Sequence, residues 1–492
     1  MPSLKQQNIQ NDSQDVLYLT IDQGGHASRA IVYDQRGVPL STSVCEIDTF
    51  QQGNRVEHDA RQFIDSITTV IDEVLSELGD RVADICCAGI ATQRSSIIAW
   101  DSATDEMLSP IISWQDRRAV ELLSLIDGFR GETREITGLF PNAHYGATKI
   151  HWCLKNIPEV QTALAENRLR IAPVASFILN QVLVEKPYVV DPSNGSRTML
   201  LNVHGHCWSA DLLAKFGIPL ELLPMYVPTQ WDYGHIAFKD CLIPVNICTG
   251  DQAAAFFVDK VADCNTIYIN AGTGVFIQKL LDTTAEEVPP QRLLQSIVYQ
   301  DEQESLSLIE GTVNGAGRAL QWFADQEGIA NLDKSLLKWV NEIKDPPLFF
   351  NGISGVGSPF WVANFQSQFN RAASTPEKSV AILESIVFLC VENILRMPHA
   401  NVRHIVLSGG LSQNAGFCQK LANLAEILVL RKTHSEATCR GLRNLLALKK
   451  TENIGFLTNQ NEKKFVSKKD LALNGRFNQW RSQFCSMISE SK

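Results

Sequence analysis

A carboxylate on a tight turn followed by a glycine hairpin marks the middle of this chain, and a matching hairpin stands near its start. Residues 242–248 read as a strand, then come the turn Thr249-Gly250-Asp251-Gln252, a helix and a strand over 266–270. The turn Gly272-Thr273-Gly274 follows, and 275–279 return as a strand. Near the start, the apolar run 16–21 ends at Asp22-Gln23-Gly24-Gly25, and 29–33 return. Glycine turns let backbone N–H groups approach an anion that a β-carbon would obstruct. Two such hairpins at corresponding places in two halves imply a duplicated architecture that clamps ATP. Asp251 stands where a base would face the phosphate.

At 492 residues the chain exceeds what one hydrophobic core usually supports, so two domains are expected. The reading is a flexible leader at 1–15, an α/β unit over 16–255, a second over 261–450, and a tail at 451–492. Apolar content of 45% and charged content of 20% are those of an ordinary soluble globular protein. A net charge of −10 argues against a nucleic-acid surface, which needs clustered Lys and Arg. The 12 cysteines show no Cys-x-x-Cys pair and no zinc spacing, so they read as reduced thiols of a cytoplasmic protein. No signal-peptide core and no apolar run near the roughly 20 residues of a membrane span occurs.

Periodicity places a helix near 60–78, a buried strand at 85–91 and a hairpin from 96–100 to 111–114. Segments 185–192 and 219–228 read as loops or short connections. In the second unit a helix is expected to begin within 310–324, with another over 379–397. A strand at 404–407 leads through Gly409-Gly410 into a helix at 414–427. In the tail, Phe477, Trp480, Phe484 and Met487 fall at helical spacing, as for an amphipathic helix docked on the body.

In order along the chain come Asp22-Gln23-Gly24, Val56-Glu57-His58-Asp59, Gln93-Arg94, Trp114-Gln115-Asp116-Arg117-Arg118 and Thr148-Lys149-Ile150-His151-Trp152. Ser196-Arg197-Thr198, Gly250-Asp251-Gln252, Gly272-Thr273-Gly274, Glu310-Gly311, Leu320-Gln321-Trp322, Ser358-Pro359-Phe360-Trp361 and Gly409-Gly410 follow. Over nearly its whole length the chain thus resembles the FGGY carbohydrate kinase family, specifically its glycerol kinase-like branch. The resemblance implies an α/β protein of two ribonuclease H-like (actin-like ATPase) domains, with ATP, Mg²⁺ and a small polyol or sugar in the cleft between them. It also implies a kinase that phosphorylates a primary hydroxyl, and leaves room for a homo-oligomer. Pentulose kinases, weakly active regulatory homologues and protein-directed ATPases are the alternatives.

The resemblance makes Asp251 the general base that accepts the hydroxyl proton, although the same residue suits a helix N-cap. Asp22 and Asp251 are the candidate Mg²⁺ ligands; Mg²⁺ characteristically keeps several waters. The nucleotide set comprises Gly24, Gly25, His26, Arg29, Gly272, Thr273, Gly274, Gly317, Gln321, Gly409, Gly410 and Asn414. For Arg29 a salt bridge is an equal alternative. The acceptor set comprises Gln93, Arg94, Ser95, Trp114, His144, Asp251, Gln252 and Phe276, with core packing the plain reading of Trp114 and Phe276.

Four departures from the family bear on function. Ser95 stands where glycerol kinases carry Glu, and His144 where the branch has a pocket Tyr, so an acceptor bulkier than glycerol is plausible. In the first phosphate loop Gly25 and His26 replace two hydroxyl residues, which points to altered nucleotide affinity. The small-residue run after the adenosine motif is crowded, reading Cys439-Arg440-Gly441-Leu442-Arg443.

Overall fold

The computed structural model describes residues 16–258, 263–282, 292–362, 364–432, 436–448 and 462–490. The expected leader at 1–15, the start of the second unit at 261–262 and the first part of the tail at 451–461 lie outside the described residues. The first sheet comprises β1 (Leu17–Gln23), β2 (Ala27–Asp34), β3 (Pro39–Glu46), β4 (Ile85–Thr92), β5 (His235–Phe238) and β6 (Cys241–Gly250). Their order is β5-β6-β4-β1-β2-β3, and the central β6, β4 and β1 run parallel. Parallel strands buried on both faces need apolar residues at every position. Accordingly Leu17, Leu19 and Ile21 face one core, while Tyr18 faces another. The first core is closed by α1 (Ala60–Leu78), whose Phe63, Ile67, Val70, Ile71 and Val74 form its buried stripe. Asp59 caps α1 by accepting from the backbone N–H groups of Arg61 and Gln62.

The second sheet comprises β7 (Thr266–Ala271), β8 (Val275–Leu280), β9 (Leu294–Gln300), β10 (Ser305–Val313), β11 (His404–Ser408), β12 (Leu428–Lys432) and β13 (Glu462–Phe465). Its order is β9-β10-β8-β7-β11-β12-β13. An antiparallel hairpin continues into parallel β7, β11 and β12, and an antiparallel strand closes the edge. This is the plan of the first sheet, with β9 added outside β10. The duplication read from the two hairpins therefore extends to whole sheets.

The helix expected to begin within 310–324 is α2 (Gly317–Glu327); residues 310–313 before it are strand, Glu310 being paired on both sides, with Gln278 and Leu294. The hairpin expected from 96–100 to 111–114 forms: Ile97 pairs with Ile112, the Leu108 N–H donates to the Ala99 carbonyl at 2.9 Å, and Trp100 bridges Met107. Leu169–Pro173 pairs along the other edge of Ile97–Asp101.

The long helix α3 (Thr375–Ile394) starts at Ser374 with a capping box to Glu377 and is buried along nearly its whole length. Further on come α4 (Ala415–Ala425), α5 (Ala437–Ala447) and α6 (Leu471–Glu490). From α6, Leu473, Phe477, Trp480, Phe484 and Ile488 insert into the core of the second sheet, with Met487 at its margin. Phe477, Trp480 and Phe484 stack on one another, and Trp480 Nε1 donates to the Phe349 carbonyl at 3.0 Å. Among the described residues no helix is long and apolar enough to cross a membrane. Trp480→Ala removes this central ring and strands the carbonyl, so a loss of about 3–5 kcal/mol is expected in denaturant unfolding followed by far-UV dichroism.

Candidate active site

The parallel strands of each sheet end at the same edge, and the candidate residues gather there. Gln23 and Gly250 are both in register with Thr92, so Asp22, Gln93-Arg94 and Asp251 come together at the ends of β1, β4 and β6. Asp251 opens the short helix Asp251–Phe256, and its Oδ1 accepts from the Gln252 N–H at 2.7 Å. Burial holds the Asp251 carboxyl above its ordinary range, against the opposing pull of Arg94. Burial and the neighbouring charge of Asp251 push Asp22 up to about 7, opposed by Arg29. Asp22 Oδ1 is buried without a hydrogen-bond partner. Two facing carboxylates with an orphaned oxygen fit a divalent cation that draws its other ligands from phosphate and water. Among the described residues no group of three or more His, Cys, Asp or Glu side chains could hold a metal by itself.

A cluster that crosses between the sheets adjoins these carboxylates. Glu310, buried on β10, accepts from Arg197 at 2.8 Å and from the Gln278 amide at 2.8 Å, and faces Arg94 at 3.7 Å. Burial opposes its ionisation, but Arg197 and Arg94 outweigh that and hold Glu310 below its usual range. Tyr145 hydrogen-bonds Arg197 and stacks edge-on against His144 at 4.2 Å between ring centres. Burial, then the positive charges of Arg117, Lys149 and Arg197, keep His144 neutral, and its Nδ1 has no partner. Lys149 is fully buried and donates to the carbonyls of Ser95, Ser113 and His144 at 2.9, 2.7 and 2.7 Å. It thereby fixes three backbone segments around the acceptor side. Ser95 itself has a positive φ of 66°, and Trp114 lies half-exposed beside Gly25.

Gln93 is placed differently from an acceptor ligand. Its amide lies against Gln23 and the Gly24 carbonyl at 3.4 and 3.5 Å, and its Oε1 accepts from Ser96 at 2.9 Å. It supports the first phosphate loop from below. His26 stands exposed at the loop's mouth. Arg29 pairs with Glu436, so the salt-bridge reading of that residue holds, while its Nε is left without a partner.

On the second sheet, the backbone N–H groups of Ala316 and Arg318 bond the Thr273 carbonyl and that of Gly317 bonds Gly272, all at 3.0–3.1 Å. The Gly272-Thr273-Gly274 hairpin is thus locked to the start of α2, with Thr273 exposed at the tip. Gly409 has φ 87°, and a β-carbon there would stand 2.5 Å from the Ala271 carbonyl oxygen. Gln321 donates to Asp325 on the surface of α2. The side-chain oxygen of Asn414 caps α4 by accepting from Phe417 N–H. Phe276 pairs with Asn270 and Thr312 across the sheet.

Helix α5 joins the two halves. A β-carbon on Gly441 would lie 1.8 Å from the Ala254 carbonyl oxygen, so only glycine permits α5 to seat against the helix that begins at Asp251. The flanking Arg443 turns away toward the Gln35 carbonyl and the Tyr18 ring. At the start of α5, Thr438 hydrogen-bonds Asp22. The crowding read in the sequence is thus a contact between halves.

Duplicated sheets closing glycine hairpins around a carboxylate pair define a two-domain phosphotransferase fold. Residues 17–258 match the N-terminal domain, and 267–447 the C-terminal domain, of the FGGY family of carbohydrate kinases. The chain belongs to that family, and is a phosphotransferase with an alcohol acceptor. It is 29% identical over 462 residues to a glycerol kinase of Lachnoclostridium phytofermentans, covering 90% of this chain and 91% of the relative. It is 30% identical over 443 residues to a glycerol kinase of Alkalilimnicola ehrlichii, covering 87% and 89%. The fold superposes on Plasmodium falciparum glycerol kinase with ADP at TM-score 0.85, 21% identity and coverage of 97% and 98%. A ligand-bound xylulose kinase from Lactobacillus acidophilus superposes at 0.81, with 17% identity and coverage of 96% and 98%.

The candidate set omitted Lys149, Arg197, Gln278, Glu310 and Gly441, although Lys149, Arg197 and Glu310 lie within motifs that carry the resemblance. The remaining signal was charge embedded in apolar surroundings, as in Thr148-Lys149-Ile150 and Ile309-Glu310-Gly311. Lys149→Met leaves three carbonyls without their donor, so unfolding should show a loss of about 3 kcal/mol or more. Gly441→Ala should lower kcat roughly 10²-fold with the dichroism spectrum preserved, since it displaces the helix that carries Asp251.

Proposed function

We propose that this chain is an ATP- and Mg²⁺-dependent kinase of a small polyol or sugar, with Asp251 as its general base. The convergence of Asp22, Asp251 and two glycine hairpins at facing strand ends carries this reading. An acceptor primary hydroxyl attacks the γ-phosphorus of ATP, its proton passes to the Asp251 carboxylate, and the bond to the β-phosphate oxygen breaks to release ADP. Burial raises the basicity of Asp251, which favours that proton transfer at neutral pH. Asp22 and Asp251 would hold Mg²⁺, which when bound neutralises charge on the phosphates.

Gly272, Thr273 and Gly274 hold the β- and γ-phosphates from one side, and Gly24, Gly25, His26 and Arg29 from the other. Gly317, Gln321, Gly409, Gly410 and Asn414 line the adenosine. Arg94, Ser95, Trp114, His144, Gln252 and Phe276 surround the acceptor, with Gln93 supporting the loop above it. Closure between the halves excludes water and limits wasteful hydrolysis of ATP. The relatives named glycerol kinases make a glycerol-like acceptor the first choice. The short Ser95 wall favours a longer acceptor, a pentulose or other ketose, as the second. A cytoplasmic location accords with the demand for ATP.

The test is coupled ADP release with Mg²⁺-ATP and a panel of polyols and ketoses. Asp251→Asn is expected to lower kcat about 10²- to 10⁴-fold while nucleotide binding by calorimetry is kept. Full turnover in that variant would remove Asp251 as the base. ATP hydrolysis indifferent to every acceptor would sink the carbohydrate reading.

A further inference from the structure

The acceptor side carries more buried positive charge than its carboxylates match. Arg94 and Arg197, with side chains 9% and 6% exposed, share one counter-ion, Glu310. Asp116 is already committed to Arg118, which it meets at 2.8–3.0 Å, and to the Val56 N–H at 2.7 Å. Glu57 likewise binds Arg118. Among the described residues Arg117 forms no side-chain hydrogen bond or ion pair, and its Nη1 is buried without a partner. Arg197 Nε and His144 Nδ1 are also buried and unpartnered. Tyr145 joins these groups through its bond to Arg197 and its contact with His144. Ser95 and Ser193 are buried, and the Asp251 carboxylate lies within electrostatic reach of Arg94 and Arg197.

Unsatisfied buried guanidinium N–H groups are expensive unless a ligand fills them, and their fork geometry matches a carboxylate. Resting on the kinase reading, we propose that the acceptor is a polyhydroxy carboxylate of the aldonic-acid type. Its acid group is held by Arg117 and Arg197 beside His144, and its far primary hydroxyl is presented to Asp251. The transfer is the one written above: the hydroxyl oxygen bonds to the γ-phosphorus, the proton goes to Asp251, ADP leaves, and the carboxylate is unchanged. Glu310 then balances one of the two remaining positive charges and sets Arg94 apart from the acid end.

The test pairs each acid with its alcohol: glycerate with glycerol, erythronate with erythritol, and ribonate and xylonate with ribitol and xylitol. ADP release is measured with the full chain, and binding of each compound is measured separately by calorimetry. At least one acid is expected to exceed its alcohol in kcat/KM by about tenfold or more, the worth of a charged hydrogen bond. Arg117→Gln should reduce that acid-to-alcohol ratio about tenfold, and Ser95→Glu should reverse the preference by placing a competing carboxylate in the pocket. Acids that bind tighter than alcohols without turnover uphold the charged site and remove the kinase reading instead. Preference for the alcohol in every pair, in both binding and turnover, overturns the proposal. So does an acid preference that survives both substitutions.

Discussion

The buried carboxylate of Glu310 is the interaction on which the rest of the site depends. It belongs to the second sheet, and both guanidiniums that face it belong to the first half. A buried ion pair repays its desolvation only where geometry is good and the remaining lone pairs are satisfied. Here the Gln278 amide completes the set, so ionised Glu310 is well matched only when Arg94 and Arg197 have arrived. Arg94 also acts on Asp251, the proposed base. Docking of the halves and assembly of the acceptor side are therefore one electrostatic event.

Glycine makes the same connection sterically. Gly441 lets α5 press its backbone against the helix that begins at Asp251, and the start of α5 carries Thr438 to Asp22. Glu436, just before α5, pairs with Arg29 on β2. One short stretch of the second half thus touches both proposed metal-binding carboxylates, directly at Asp22 and through the helix at Asp251. A larger side chain at 441 would separate two groups that chemistry needs together.

Much of this was legible in the residues. The two hairpins, the boundaries of α1 and the buried strands followed from runs of apolar residues ended by glycine or aspartate, signals that are local in sequence. The strand at Glu310 was not legible, because a lone acid followed by glycines resembles a turn. Its strand character comes from neighbours on both sides, Gln278 and Leu294, which lie outside any local window. Lys149 and Arg197 were invisible as site residues for the same reason. The partners of Lys149 are carbonyls on three separate segments, and the carboxylate that meets Arg197 is 113 residues away. Gln93 shows the converse: its motif position suggested an acceptor ligand, whereas the structure sets its amide against a loop.

Electrostatics gives the two sides of the site opposite tasks. At the strand ends, Asp22 and Asp251 place two acids together in a buried setting, which is unfavourable unless a cation or a proton relieves it. Deeper in, Arg94 and Arg197 share a single carboxylate, and Arg117 and Arg197 adjoin a neutral His144. Neither side reaches balance from the chain's own residues. On the proposed reading, a cation with its phosphates would complete the acidic side, and negative charge from the acceptor the basic side. A site poised in this way gains most when both ligands are present, which favours transfer over hydrolysis.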